Sequence, residues 1–175
     1  MTLVAASQEA IRRAVYTGVA ALCWACGAGA ADAGGTLLAP DFTRADLTSH
    51  RQRLSDYSGK VVLLSFWATW CEPCIGELAT FSRWQSSYAK SGLQVIGIAM
   101  DDDAAAVRAA VRRYRVGYPV VLGDPDLGRL YGGVYGLPLN VLVDRAGRIV
   151  VRIQGEADAA RLEQSIRSLL ASDGR

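Results

Sequence analysis

Two cysteine pairs share one spacing in this 175-residue chain: Cys23 and Cys26 in LCWAC, and Cys71 and Cys74 in WATWCEPCIGE. Thiols three residues apart can exchange with a disulfide, or they can begin a metal site. Exchange requires a thiolate, so a redox cysteine needs help to ionise near neutral pH. Cys71 has that help in prospect. From Cys74 to about Lys90, the residues Ile75, Leu78, Ala79, Phe81, Trp84 and Tyr88 recur at helical spacings. Cys71 would then stand just before a helix, where unpaired N–H groups and the positive end of the helix dipole favour an anion. Pro73 lacks an N–H and is tolerated in the first turn. Cys74, one turn in, can reach back to the first sulfur, which makes Cys71 the candidate nucleophile and Cys74 the resolving thiol. A zinc site would have to recruit Cys23, Cys26 or the lone His50, so neither a metal nor another cofactor is expected. The pair closes too small a loop to staple the fold.

The elements that must position this pair follow from hydrophobic patterning. VVLLSFW, Val61 to Trp67, is a continuous apolar run with β-branched residues, as in a strand covered on both faces. LQVIGIAM, Leu93 to Met100, reads as a second buried strand. DDDAAAVRAAVRRYR reads as a helix opening with acidic residues. That alternation of strand and helix implies parallel strands with helices on the faces. Pro119 starts a short strand through Leu122, and DPDLGRLY is a turn or helical turn. LNVLVDRAGRIVVRIQG reads as a hairpin turning at DRAG, and ADAARLEQSIRSLLAS as an amphipathic helix with Leu162, Ile166, Leu169 and Leu170 inward. Ala33 to Ser58 reads as a lead-in of turns and two short edge strands. Trp67 is expected in the core, with Trp70 at the lip of the site. Arg108, Arg112 and Arg115 fall at i, i+4 and i+7, one helix face that is either solvated or a docking surface for an acidic partner.

Half the residues are hydrophobic, 51%, enough for one domain with a normal core plus a short extra segment. Arg12 and Arg13 precede an uncharged stretch, Ala14 to Ala31, that ends in small residues. This is the layout of a secretory signal, with a retained membrane anchor or an ordinary N-terminal helix as the other readings. Residues 1–31 are therefore read as a signal peptide or membrane anchor, and residues 32–175 as the folded domain. Within that leader, Cys23 and Cys26 count as small apolar residues. The net charge is +2, and +1 without the leader, so nothing asks for a nucleic-acid partner. Export would leave Cys71 and Cys74 in a compartment where disulfides persist.

With APDF upstream and GLPLNVLVDRAGRIV downstream, VVLLSFWATWCEPCIGE resembles the active-site segment of the thioredoxin fold, and within it the exported thiol-disulfide oxidoreductases of the ResA/TlpA type. The likeness covers about Pro40 to Leu170. It implies an α/β thioredoxin-like fold, a central mixed sheet flanked by helices, here with an N-terminal extension. It also implies a cis proline facing the cysteines at Pro138, presenting the backbone of Leu137 to a substrate segment. Trp70, Glu72 and Pro73 complete the candidate substrate contacts. Glu77 matches a glutamate that assists proton transfer in such proteins, and a partly buried carboxylate could accept the proton of Cys74. Three positions depart from the pattern. Ser65 stands where thioredoxin has a buried aspartate, Leu139 where a threonine usually follows the proline, and Ala79 where a proline often follows the glutamate.

The resemblance implies an enzyme that is periplasmic or otherwise extracytoplasmic, free or anchored to the inner membrane through its N-terminus. Its expected partners are protein disulfide substrates, with apocytochrome c foremost, and a membrane electron donor of the DsbD/CcdA type. Reduction of client disulfides is the leading reading. A disulfide oxidant or isomerase, a peroxiredoxin-like peroxidase and a non-catalytic copper carrier are the alternatives.

Overall fold

The computed structural model describes residues 37–172. The expected leader, with Cys23 and Cys26, lies outside the described residues. In chain order the elements are β1 (Thr43–Ala45), β2 (Arg51–Arg53), β3 (Val61–Trp67), α1 (Glu72–Tyr88), β4 (Leu93–Ala99), α2 (Ala104–Arg113), β5 (Val120–Leu122), α3 (Pro125–Leu130), β6 (Leu139–Val143), β7 (Ile149–Gln154) and α4 (Ala159–Ala171). The five-stranded sheet runs β5-β4-β3-β6-β7. Strands β3, β4 and β5 are parallel, and β6 and β7 join antiparallel. This is the mixed, helix-flanked sheet that the resemblance implied.

Side chains on a strand alternate between faces, and the core divides accordingly. Val61, Leu63 and Trp67 of β3 join Leu78, Phe81 and Trp84 of α1 with Leu162 and Ile166 of α4. Val62, Leu64 and Phe66 join Phe42, Leu127 and Tyr131 on the other face. Every residue of β3 is buried, as its unbroken apolar run predicts. The odd residue out is Ser65. Register places it between Gly97 of β4 and Asn140 of β6, so three small or polar residues cross the middle of the sheet on the face covered by α1.

That row makes room. A Cβ on Gly97 would lie 3.1 Å from Trp67 Nε1, from a ring carbon of Tyr118 and from a methyl of Val120. The bare backbone there leaves room for the Trp67 indole, which is fully buried, as expected of it.

Two sequence expectations need correction. The two short N-terminal strands are not edges of the central sheet, because β1 and β2 pair with each other as a separate antiparallel ribbon. The ribbon touches the β5 edge through a single bridge between Asp46 and Val121. The arginine row also breaks. Arg108 and Arg112 lie on α2, but the helix ends at Arg113 and Arg115 adopts a left-handed backbone with φ 52°. Heptad arithmetic cannot see this early stop.

Candidate active site

The site begins where β3 runs out. Trp67 hands the chain to a turn through Ala68, Thr69 and Trp70, and the N–H of Cys71 closes it on the Ala68 carbonyl at 3.1 Å. A second anchor comes from just past β4, where the Met100 N–H donates to the Trp67 carbonyl at 2.8 Å. A third comes from Asp101, which accepts from the Thr69 N–H at 3.0 Å and from the Thr69 hydroxyl. Asp101 had been read as helix-opening charge. Helix α2 in fact starts later, capped by Asp103, and Asp101 is freed to hold the turn.

Cys71 is the N-cap residue of α1, with Pro73 in the first turn, as the spacing predicted. Its sulfur accepts from the Cys74 N–H at 3.3 Å, which uses one of the helix's unpaired donors. The two cysteines form a disulfide with their Cα atoms 5.3 Å apart. Cys71 keeps 6% of its surface and Cys74 1%, so the first cysteine is the less deeply buried of the two. Glu72 and Pro73 are exposed beside them. Trp70 is 72% exposed, an apolar lip next to a nearly enclosed disulfide.

The Leu137–Pro138 peptide bond is cis. Pro138 is buried and its carbonyl accepts from Gly155 at 2.8 Å, tying it to the start of the β7–α4 loop. Because Leu139 pairs with Phe66, the cis bond enters β6 at the same end of the sheet at which β3 gives way to the cysteine turn. Leu137 is half-buried and packs against both core clusters.

Glu77 lies one turn beyond Cys74 and is 9% exposed. Its two oxygens have separate partners. Oε2 accepts from the Asn140 side-chain amide and Oε1 from the Ala157 N–H, both at 3.0 Å. Burial pushes its carboxyl above the usual carboxylate range, with Glu156 adding to the rise and the two hydrogen bonds opposing it. Tyr118 is buried nearby with its hydroxyl unpartnered, and burial together with the charge of Glu77 raises its ionisation far above a free tyrosine's.

Every expected site residue is thus accounted for. Cys71, Cys74, Glu77, Trp70, Glu72 and Pro73 come from one turn and helix, and Leu137 and Pro138 from the strand entry at the same end of the sheet. Sequence reading missed Asp101, Asn140 and Ala157. A signal existed for Asn140: a polar residue inside LNVLV, a buried strand, must have a partner. None existed for Ala157, which contributes only backbone. A cleft of about 310 Å³ lined by Leu38, Tyr57, Val62 and Val143 lies at the far end of β3 and includes none of these residues. Among the described residues, no group of three or more His, Cys, Asp or Glu is arranged to hold a metal. No helix among them is long and apolar enough to cross a membrane.

Comparison with known proteins points the same way. Residues 37–152 match the AhpC/TSA family. The chain is 32% identical over 132 residues to the thiol-disulfide oxidoreductase ResA of Bacillus thuringiensis subsp. konkukian, covering 75% of this chain and 76% of the relative. To the protein of that name from Bacillus anthracis it is 34% identical over 134 residues, with the same coverage. The crystal structure of a thiol:disulfide interchange protein of the thioredoxin family from Chlorobium tepidum superposes with a TM-score of 0.72 at 26% identity, covering 78% of this chain and 97% of that one.

Proposed function

The chain belongs to the AhpC/TSA family and is a thioredoxin-like thiol-disulfide oxidoreductase, and on that premise we propose that it is an exported reductant of client disulfides. Cys71 as thiolate attacks one sulfur of the client disulfide. The client S–S bond breaks, one client sulfur leaves as thiolate and the other stays joined to Cys71. Cys74 then loses its proton and attacks the Cys71 sulfur, which releases the second client thiol. Two electrons have passed to the client, and the Cys71–Cys74 disulfide of this structure is the product. The enzyme must then be recharged by a dithiol donor, in keeping with a membrane protein of the DsbD/CcdA type.

The observation that carries this reading is Cys71 at the helix N-cap, its sulfur on the Cys74 N–H, disulfide-bonded to a more deeply buried partner. An attacking sulfur belongs on the accessible side and a resolving sulfur behind it. The elevated carboxyl of Glu77 suits the acceptor of the Cys74 proton, since burial makes it a stronger base than an ordinary carboxylate. Trp70, Glu72, Pro73, Leu137 and Pro138 form the client-contacting surface, with the cis bond offering backbone to an extended segment. Residues 1–31 direct export, to the periplasm or its equivalent, and residues 32–175 form the working domain. The ResA resemblance favours apocytochrome c as client.

The test is Cys74→Ser expressed in the native host, followed by mass spectrometry of whatever is joined to Cys71. Without a resolving thiol the mixed disulfide accumulates, and haem-attachment apoproteins are the expected catch. An accessible Cys71 that links to no protein would defeat the covalent mechanism. Consumption of peroxide by the parent protein, with no turnover of disulfides, would favour a peroxidase instead.

A further inference from the structure

The partners of Glu77 differ in one chemical respect. The Ala157 N–H can only donate, so it can never accept a proton carried by Oε1, whereas the partner of Oε2 is an amide with both a donor and an acceptor. A proton on Oε2 faces Asn140, the one hydrogen-bond partner of the carboxyl that is able to accept it. The Asn140 amide now donates to that oxygen, which suits a carboxylate but opposes an O–H. Its other end, Oδ1, is buried and has no partner, in a side chain 1% exposed. A buried acceptor left unused is costly and calls for an explanation.

We propose that Asn140 is a positioning residue that serves Glu77 in both protonation states, donating to the carboxylate from Nδ2 and, with its amide turned over, accepting from the carboxylic acid through Oδ1. The inference rests on the reading of Glu77 as the acceptor of the Cys74 proton. In that step the Cys74 S–H bond breaks and its proton goes to Oε2 of Glu77. The Cys74 thiolate attacks Cys71, forming the Cys71–Cys74 bond as the bond from Cys71 to the client breaks and the client leaves as thiolate. The new O–H of Glu77 points at Asn140, whose amide rotates to accept it.

Asparagine is suited to this because one planar group carries a donor and an acceptor of nearly equal size. An aspartate there would set a second negative charge against Glu77, and an apolar residue would leave Oε2 without a partner in either state. The other ionisable groups facing Glu77 are Cys74 on its own helix, Glu156 in the β7–α4 loop and Tyr118 ahead of β5. The Tyr118 hydroxyl could also donate and accept but has no partner among the described residues, and it is Asn140 that is hydrogen-bonded to Oε2. Asn140 also stands two residues beyond the cis bond on β6, so the strand that enters at the client surface carries the partner of the proton acceptor.

Asn140→Leu keeps the approximate size while removing both polar ends, and Asn140→Thr restores a hydroxyl able to donate and accept. In the oxidised, folded protein, carbon-13 NMR of labelled glutamate follows the Glu77 titration, and infrared difference spectroscopy follows its carboxylic C=O stretch. The expected result for Asn140→Leu is a titration moved up by about one pH unit or more, with the acid C=O band at higher frequency because its O–H has lost an acceptor. Asn140→Thr should recover part of both. A titration and band unmoved in folded Asn140→Leu would overturn the inference while leaving Glu77 as proton acceptor intact. If instead Glu77→Gln resolves the mixed disulfide at the parent rate, the underlying reading of Glu77 fails and the role of Asn140 falls with it.

Discussion

Glu77 is placed against its own stability. Burial raises its carboxyl, so between the ordinary carboxyl range near about pH 4.3 and its folded value the native state holds a proton that the unfolded chain has lost. Its contribution to stability is fully present below the unfolded value and is lost as pH rises through the folded one. Glu77→Gln removes the ionisation while keeping an acceptor for the Ala157 N–H. The variant's Tm should exceed the parent's at neutral pH, and the advantage should vanish below about pH 4. Its resolving step should slow by about 100-fold or more, read by stopped-flow release of client thiol. A variant both faster and less stable would contradict this account. At this scale the sequence was legible where chemistry is local. Cys71, Pro73 and Cys74 declare themselves by spacing, and Ser65 stands out as a polar residue in an apolar strand. The Asn140 contact was not legible, because its partner lies 63 residues away and only the β3–β6 register brings the two to one face.

The main helices and strands from β3 to α4 were legible, β3 and β4 as apolar runs and α1 and α4 by a period of about 3.6. What failed were the ends and the pairings. Helix α2 stops before Arg115 and begins after Asp101, and Asp101 consequently serves the cysteine turn. Asp101→Ala should lower stability by about 1 to 2 kcal/mol, the scale of hydrogen bonds to a charged group that remains partly solvated. It should also loosen the Trp70–Cys71 turn, read as faster alkylation of Cys71 in the reduced protein. Gly97 tests the sheet itself. In an ordinary strand Gly→Ala is neutral or helpful, but here the new methyl meets Trp67, Tyr118 and Val120 at 3.1 Å. Gly97→Ala should cost about 1 to 3 kcal/mol, seen as a lower denaturation midpoint with unchanged slope. Pairing of β1 with β2 was not legible because three-residue strands carry too little pattern to choose a neighbour.

Taken whole, the molecule sets a nearly enclosed disulfide at one end of a mixed sheet, between a helix N-terminus and a cis proline. The mixed topology itself was legible only through resemblance, since strand order does not follow from periodicity. The direction of electron flow depends on how well the protein stabilises the reduced pair. Strong oxidants of this fold stabilise their thiolate form and so draw electrons in. Here the one buried charged side chain among the described residues is Glu77, an acid one turn from Cys74. The Cys71 sulfur accepts from the Cys74 N–H, and both cysteines belong to the buried cluster that includes Trp67, Ala68, Leu78 and Phe81. A reductant needs a dithiol that gives up its electrons readily, so that the disulfide is the favoured form. The measurement that bears most directly on the protein as a reductant is the midpoint potential of the Cys71/Cys74 couple, equilibrated against thiol buffers at pH 7. A value nearer the roughly −270 mV of thioredoxin is the expected result. One nearer about −120 mV would make the protein an oxidant and contradict the account.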